Sequence, residues 1–163
     1  MRKALLTISA LILSVALCTN TSAADYEPSK EIEEAAEKYG EEYGMGKYIL
    51  LAIMRYESCY VPDVHNGNCK GLMQVNEPYH AERMERLGVS DLYDIDSNVR
   101  VGADYIAELY QSYEDWGIVL GLYHGEKKAV SNGKKGIYSK YSLKILAYAT
   151  DLEEEDKQKD GKD

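Results

Sequence analysis

The stretch from Gly46 to Glu57 constrains the fold more than any other part of this 163-residue chain. Its apolar residues recur at i, i+3, i+4 and i+7, which predicts a helix with one buried stripe. Further apolar residues occupy the remaining faces, so other elements must surround the helix on nearly every side. The stripe consists of Ile49, Ala52, Ile53 and Tyr56, and the other faces carry Leu50, Leu51 and Met54. The sequence therefore predicts one helical domain built around a central helix.

Other segments with helical periodicity flank the central one. Ser29 can cap a first helix whose apolar face contains Ile32 and Tyr39. Asp96 or Ser97 can cap a later helix. The predicted later helices span Tyr79–Leu87, Asn98–Tyr113, Trp116–Tyr123 and Ser139–Leu152. The fold class is therefore mostly α.

A loop or small hairpin is expected between the central helix and the next one. Pro62 and the polar residues after it interrupt helical periodicity. The pair Asn66 and Gly67 is a favourable two-residue hairpin turn. This short β segment makes the expected class α+β, and a glycine- and lysine-rich loop is expected at 125–136.

The two ends of the chain are expected to lie outside the domain, which spans 25–152. Arg2 and Lys3 precede a short apolar run, and small residues follow it. This order predicts a signal peptide over residues 1–24 and a protein secreted to the cell envelope. A retained N-terminal anchor is the alternative, although the run is shorter than a spanning helix requires. Residues 153–163 are charged without apolar periodicity, which predicts a disordered tail.

The charge of the chain excludes several classes of partner. The whole chain has a net charge of −9, and removal of Arg2 and Lys3 with the leader lowers it to −11. Nucleic acids and anionic membrane surfaces attract basic patches, so neither is an expected partner. A monomer without a membrane span is expected, and any anionic polymer must be recognised through local contacts.

Cys59 and Cys69 are the two cysteines that follow the predicted leader. Export favours a disulfide bond between them. A zinc site that adds His65 and His80 is the alternative, although these spacings match no common zinc pattern.

Glu57 is the candidate for acid–base chemistry. The negative end of a helix disfavours a carboxylate, and the neighbouring Ile53 and Tyr56 reduce its hydration. Both effects raise the pKa of Glu57, and a protonated Glu near neutral pH is what acid-catalysed cleavage of a glycosidic bond requires. A solvated glutamate that only ends the helix is the alternative at this point.

Glu57 and Ser58 are followed, after a short loop, by the run Gly71–Val75, which reads Gly-Leu-Met-Gln-Val. This order resembles the signature of the soluble lytic transglycosylases, a family with a lysozyme-like fold that cleaves bacterial peptidoglycan. The stretch from Ser97 to Tyr110 is similar to the family's Asn-x-x-x-Gly helix, which backs the site. Tyr141 and the aliphatic helix after it also match the family.

One element departs from the family pattern. The family has an apolar helix that ends in Tyr-Asn-x-Gly, whereas this chain has Tyr123, His124 and Gly125. The tyrosine matches, His124 replaces the asparagine, and the glycine comes one position early. The resemblance covers roughly 32–152, nearly all of the predicted mature chain.

The resemblance implies that Glu57 is the catalytic acid and base. It would cleave the β-1,4 bond between N-acetylmuramic acid and N-acetylglucosamine and leave a 1,6-anhydromuramic end. The partner would be the glycan strands of peptidoglycan, with no metal or other cofactor. Ser58 would hold the Glu57 side chain or the loop, and the Tyr123 hydroxyl would point towards Glu57 or the substrate's N-acetyl group. The expected substrate-binding residues are Ser58, Met73, Gln74, Asn76, Tyr123 and Tyr141.

Two alternatives remain open from the sequence. A hydrolysing muramidase on the same fold needs a second carboxylate, for which Asp63 and Glu77 are the candidates. A non-catalytic wall-binding protein is the other alternative, and the altered residue His124 is the feature that favours it. Tyr79 and His80 are expected beside Asn76 at one cleft wall, and His65, His80 and His124 are interpreted as surface or loop residues.

Overall fold

The computed structural model describes residues 26–161, so the predicted signal peptide at 1–24 lies outside the described residues. Seven helices and one small sheet form this part of the chain. The helices are α1 Lys30–Glu42, α2 Lys47–Ser58, α3 Ala81–Leu87, α4 Ile95–Tyr113, α5 Trp116–Tyr123, α6 Ala129–Gly133 and α7 Lys140–Asp160. The strands are β1 His65–Asn66, β2 Cys69–Lys70 and β3 Val75–Asn76. No helix within 26–161 has the length and apolar character needed to cross a membrane.

Helix α2 lies at the centre of the domain, as its sequence predicts. Leu50, Ala52, Ile53 and Met54 have no solvent exposure. Helices α1 and α7 pack against α2, α4 packs against α1, and α5 packs against both α4 and α7. The predicted mostly-α class with a short hairpin segment is confirmed.

Polar side chains set where the helices begin. Ser29 accepts a hydrogen bond from the Ile32 N–H, which confirms the predicted cap of α1. Helix α4 begins earlier than predicted, because Asp94 accepts a hydrogen bond from the Ser97 N–H and caps it. Asp96, a predicted cap, instead accepts hydrogen bonds from Lys38 and Tyr39 of α1. These two bonds join the start of α4 to α1.

The small sheet carries the segment between α2 and α3. Its strands are antiparallel in the order β1-β2-β3, with Asn66 opposite Cys69 and Lys70 opposite Val75. The hairpin turn is therefore Gly67-Asn68, one residue later than the predicted Asn66-Gly67 turn. Gly67 has a φ of 59°, a backbone conformation that glycine adopts without steric cost.

The C-terminal region is more helical than predicted. Helix α6 interrupts the predicted loop at 125–136, and α7 continues through Asp160. The prediction that disorder begins at residue 153 is therefore wrong as far as Asp160. Asp156 accepts a hydrogen bond from the Tyr48 hydroxyl at 2.7 Å and pairs with Lys47 at 3.1 Å. These contacts with α2 hold the extra turns, although their sequence lacks apolar periodicity.

Candidate active site

Glu57 lies in the last turn of α2 and is half-buried. Its Oε1 accepts a hydrogen bond of 2.6 Å from the Tyr141 hydroxyl. Burial raises the pKa of Glu57 from an ordinary 4.5 to about 7, and the hydrogen bond from Tyr141 partly opposes this rise. Glu57 can therefore be a proton donor or a proton acceptor near neutral pH.

Two tyrosines from other helices lie near Glu57. Tyr141 is in the first turn of α7, and Tyr123 is the last residue of α5. Burial is the main cause of a raised pKa for both phenols, and the charge of Glu57 raises it further. The Tyr123 hydroxyl donates to the backbone carbonyl of Met73 at 2.6 Å. This bond supports the loop beside Glu57, and the expected direction of the hydroxyl towards Glu57 or the substrate stays a prediction.

Asn98 holds the Gly71–Val75 segment from behind. Its Oδ1 accepts from the Met73 N–H at 2.8 Å, and its Nδ2 donates to the carbonyls of Lys70 and Leu92. Asn98 is only 1% exposed, so these buried backbone groups depend on it. This contact agrees with the expectation that α4 backs the site.

Gly71 permits this close approach. Its φ is 72°, and a Cβ there would lie 2.2 Å from both Asn98 Nδ2 and the Leu92 carbonyl oxygen. The position therefore needs glycine for its backbone conformation and for its lack of a side chain.

The Met73 side chain does not line a cleft. It has no solvent exposure and packs against Gly102, where a Cβ would lie 2.5 Å from the Met73 sulfur. The expectation that Met73 contacts the substrate through its side chain is therefore wrong. The reason is that the glycine on α4 leaves a space that the thioether fills.

Gln74 and Ser58 also bond within the protein. Gln74 has a φ of 48°, and its amide nitrogen donates to the carbonyls of Gly71 and Val64. This amide therefore closes the loop. Ser58 is buried, and its hydroxyl donates to the Met54 carbonyl at 3.0 Å rather than to Glu57. Ser58 was expected to hold either the Glu57 side chain or the loop, and its hydroxyl bonds within α2 instead.

Cys69 carries a free thiol, so the predicted disulfide bond between Cys59 and Cys69 is not formed. Cys59 is buried at the C-terminal end of α2 in a left-handed conformation, whereas Cys69 lies in β2 with its sulfur 3.9 Å from Asn76 Nδ2. Burial and the charge of Glu57 raise the pKa of the Cys69 thiol, which places Cys69 near the acid. The two cysteines lie in different elements, at the end of α2 and in β2, so a short separation in sequence did not decide their pairing.

Asn76 and three tyrosines extend the site away from Glu57. Asn76 Oδ1 accepts a hydrogen bond from the Tyr79 N–H at 3.2 Å. The Tyr79 ring, which is 59% exposed, lies 6.1 Å from the Tyr105 ring, and Tyr105 lies 5.9 Å from Tyr123. Tyr79, Tyr105 and Tyr123 form what we call the tyrosine row. Sequence reasoning missed Tyr105, although its spacing from Asn98 places both residues on one face of α4.

Two histidines are less exposed than expected. His80 is buried, lies 4.6 Å from the Tyr105 ring and contacts Arg83 through Nδ1. Burial and the Arg83 charge lower the pKa of His80 to about 4. His124 is half-buried and stacks on the ring of Tyr141. Both lie in turns, which agrees with the interpretation as loop residues, but neither is an exposed surface residue, whereas His65 is exposed.

The two candidates for a second catalytic carboxylate, Asp63 and Glu77, have different surroundings. Asp63 is exposed, and Glu77 is bound by Lys70 at 2.7 Å. Among residues 26–161, no carboxylate is one of the groups that shift the pKa of Glu57. The described part of the chain also contains no cluster of three or more His, Cys, Asp or Glu side chains able to hold a metal ion, so the zinc alternative has no support there.

Comparison with known proteins finds a matching family and a similar protein for this chain. Residues 34–145, more than half of the chain, match the family described as the transglycosylase SLT domain. The chain is also similar to the membrane-bound lytic murein transglycosylase F of Desulfosudis oleivorans, with 33% identity over 86 residues. This alignment covers 52% of the chain but only 17% of the relative. The chain therefore corresponds to a small part of that protein.

Proposed function

Because the chain belongs to the transglycosylase SLT domain family, we propose that it is a peptidoglycan lytic transglycosylase with Glu57 as its catalytic acid and base. The observation that carries the proposal is the half-buried Glu57 carboxyl group, which accepts a hydrogen bond of 2.6 Å from the Tyr141 hydroxyl and whose pKa is raised by burial to about 7. A single carboxyl group with this pKa can give up a proton and take one back within one catalytic cycle.

In the proposed reaction, protonated Glu57 donates its proton to the oxygen that bridges N-acetylmuramic acid and N-acetylglucosamine. The bond from C1 to this oxygen breaks, and positive charge develops at C1 of the muramic residue. The C6 hydroxyl of the same sugar attacks C1 and gives its proton to the Glu57 carboxylate. Glu57 is thereby reprotonated, and a 1,6-anhydro ring forms without consumption of water. Tyr141 stabilises the carboxylate between the two proton transfers.

We propose that the glycan strand lies along the tyrosine row. Tyrosine rings offer flat apolar faces for sugar rings, and their hydroxyl groups tolerate water. Asn76 lies beside the tyrosine row, because its Oδ1 accepts a hydrogen bond from the Tyr79 N–H. In this proposal three residues support the site without contacting the glycan, because their side chains bond or pack within the protein. They are Met73, Gln74 and Ser58.

Hydrolysis by the same fold is the second candidate. It requires a second carboxylate about 5–9 Å from the acid, either as a nucleophile or as a base for water. Glu77 is paired with Lys70, and neither Glu77 nor Asp63 shifts the pKa of Glu57. These observations favour the anhydro product over the hydrolytic one.

Mass spectrometry of the fragments released from purified peptidoglycan tests the proposal. We expect anhydromuramic ends from the wild-type protein and no fragments from Glu57→Gln. Glu77→Gln and Asp63→Asn are matched controls that should retain the anhydro product. Reducing ends that disappear in either control would establish hydrolysis. Unchanged cleavage by Glu57→Gln would refute the assignment of Glu57, and no cleavage by a folded wild-type protein would favour a non-catalytic wall-binding role.

We further propose that the protein is exported and acts on the cell envelope as a monomer. The charged start and apolar run of residues 1–24 support export. Peptidoglycan lies outside the cytoplasmic membrane, so the proposed substrate requires the same location.

A further inference from the structure

His124 lies directly after α5 and contacts the tyrosine that binds Glu57. Its ring centroid is 4.1 Å from that of Tyr141, with an angle of 13° between the planes. The other ring pairs around the site are tilted or edge-on, including Tyr105 with Tyr123 at 35°. The stack of His124 on Tyr141 is therefore the one flat aromatic contact in the described site.

We propose that His124 is a positioning residue: its stack on Tyr141 keeps the Tyr141 hydroxyl on Glu57 Oε1. The inference rests on the proposed function of Glu57 and deepens it. Tyr141 is only the second residue of α7, so few helical residues before it restrain its side chain. A small rotation about its first side-chain torsion leaves the Cβ in place but moves the distant hydroxyl away from Glu57. A flat neighbour on one ring face blocks that rotation.

The ionisation state of His124 suits this role. Burial lowers its pKa, which keeps the imidazole neutral near pH 7, and the charge of Glu126 opposes this effect. The groups that face His124 are therefore Glu126 from the following loop and Tyr141 from α7, with Glu57 of α2 beyond Tyr141. A neutral ring can stack on Tyr141 without adding a positive charge that would lower the pKa of Glu57.

Substitution of His124 separates stacking from other roles. His124→Phe keeps a flat ring and should retain kcat within about threefold. His124→Asn, which introduces the residue of the family pattern, should lower kcat about tenfold on soluble glycan strands with little change in KM, because a displaced catalytic hydrogen bond slows chemistry. The alkaline limb of the pH–rate profile of His124→Asn should also move to higher pH, because a weaker hydrogen bond from Tyr141 lets the pKa of Glu57 rise.

A double-mutant cycle with Tyr141→Phe completes the test. If His124 acts through Tyr141, His124→Asn should lower kcat by a much smaller factor in the Tyr141→Phe background than in the wild type. Urea unfolding of each variant shows whether a loss of activity is a loss of folded protein. Fully additive effects, an unmoved pH limb, or a Phe variant as impaired as the Asn variant would overturn the inference.

The same experiments distinguish this inference from the proposed function. If Glu57→Gln is inactive and the His124 variants behave as wild type, only the positioning role fails. If Glu57→Gln retains activity, the proposed function of Glu57 fails and the role of His124 fails with it.

Discussion

The Tyr141 hydroxyl donates a hydrogen bond of 2.6 Å to Glu57 Oε1, joining two residues that are 84 positions apart in the sequence. The bond crosses from the start of α7 to the end of α2. It stabilises the carboxylate, whereas burial stabilises the neutral acid, and the balance places the pKa of Glu57 at about 7.

Tyr141→Phe should move the alkaline limb of activity to higher pH. The substitution removes the donor that favours the carboxylate, so the pKa of Glu57 rises and the acid form persists to higher pH. We also expect kcat to fall about tenfold or more, because the carboxylate formed between the proton transfers loses its partner. The measurement is kcat/KM against pH. Tyr138→Phe, which removes a bond to Asp115 instead, should leave the limb in place, and a downward shift for Tyr141→Phe would contradict the prediction.

Glu57→Gln should stabilise the fold above neutral pH. Because the folded pKa of Glu57 is raised, the folded state holds a proton that the unfolded state releases between pH 4.5 and about 7. The wild type therefore loses stability as pH rises through this window, and the Gln variant does not. We expect a gain of up to about 3 kcal/mol in the free energy of unfolding above pH 7 and little difference below pH 4.5. Urea unfolding against pH measures it, and equal pH dependence in both proteins would disprove it.

Gly71→Ala should destabilise the protein far more than Gly67→Ala. Both glycines have positive φ, but only Gly71 has neighbours in the space of a Cβ. The alanine at 67 should cost about 1 kcal/mol for its backbone conformation. At 71 the clash with Asn98 and the Leu92 carbonyl adds to this cost, for a total of about 3 kcal/mol or more. Thermal or urea unfolding gives the comparison, and equal losses would show that Asn98 can move aside.

Asp156→Ala should loosen the end of α7 without unfolding the domain. It removes the hydrogen bond from Tyr48 and the ion pair with Lys47. We expect faster amide hydrogen exchange after Leu152. The free energy of unfolding of the whole domain should fall by less than about 1 kcal/mol, because these contacts are partly exposed. Asp151→Ala changes an exposed position in the same helix and should leave the exchange pattern unchanged. Equal exchange in the two variants would mean that Asp156 does not hold the helix end.

Tyr79→Ala should weaken binding of long glycan strands more than cleavage of the bound substrate. The exposed Tyr79 ring lies at the far end of the tyrosine row, away from Glu57. Loss of one stacking ring should raise KM about tenfold for long strands and leave kcat within about twofold. Tyr113→Ala removes a ring of lower exposure, 38%, at the end of α4 and should change neither constant. A large fall in kcat for Tyr79→Ala would contradict a role restricted to binding.

The residues of this site differ in how far the sequence alone identifies them. Glu57 is identifiable because an apolar helix ends at it, and the pattern of that helix follows from local spacing. Asn98 is identifiable only through the family resemblance, because its three partners lie in other segments. Tyr105 and the stack of His124 on Tyr141 were missed, since a contact between helices leaves no periodic signal in either one.

The sequence by itself determined the central helix, the acid at its end, and the Ser29 cap of α1. Each of these depends on residues within a few positions of one another, where propensity and spacing act directly. Tertiary structure alone decided that Met73 is buried against Gly102, that Cys69 carries a free thiol, and that α7 extends to Asp160. These outcomes depend on where distant segments meet, because packing and pairing energies are set by neighbours in space rather than in sequence.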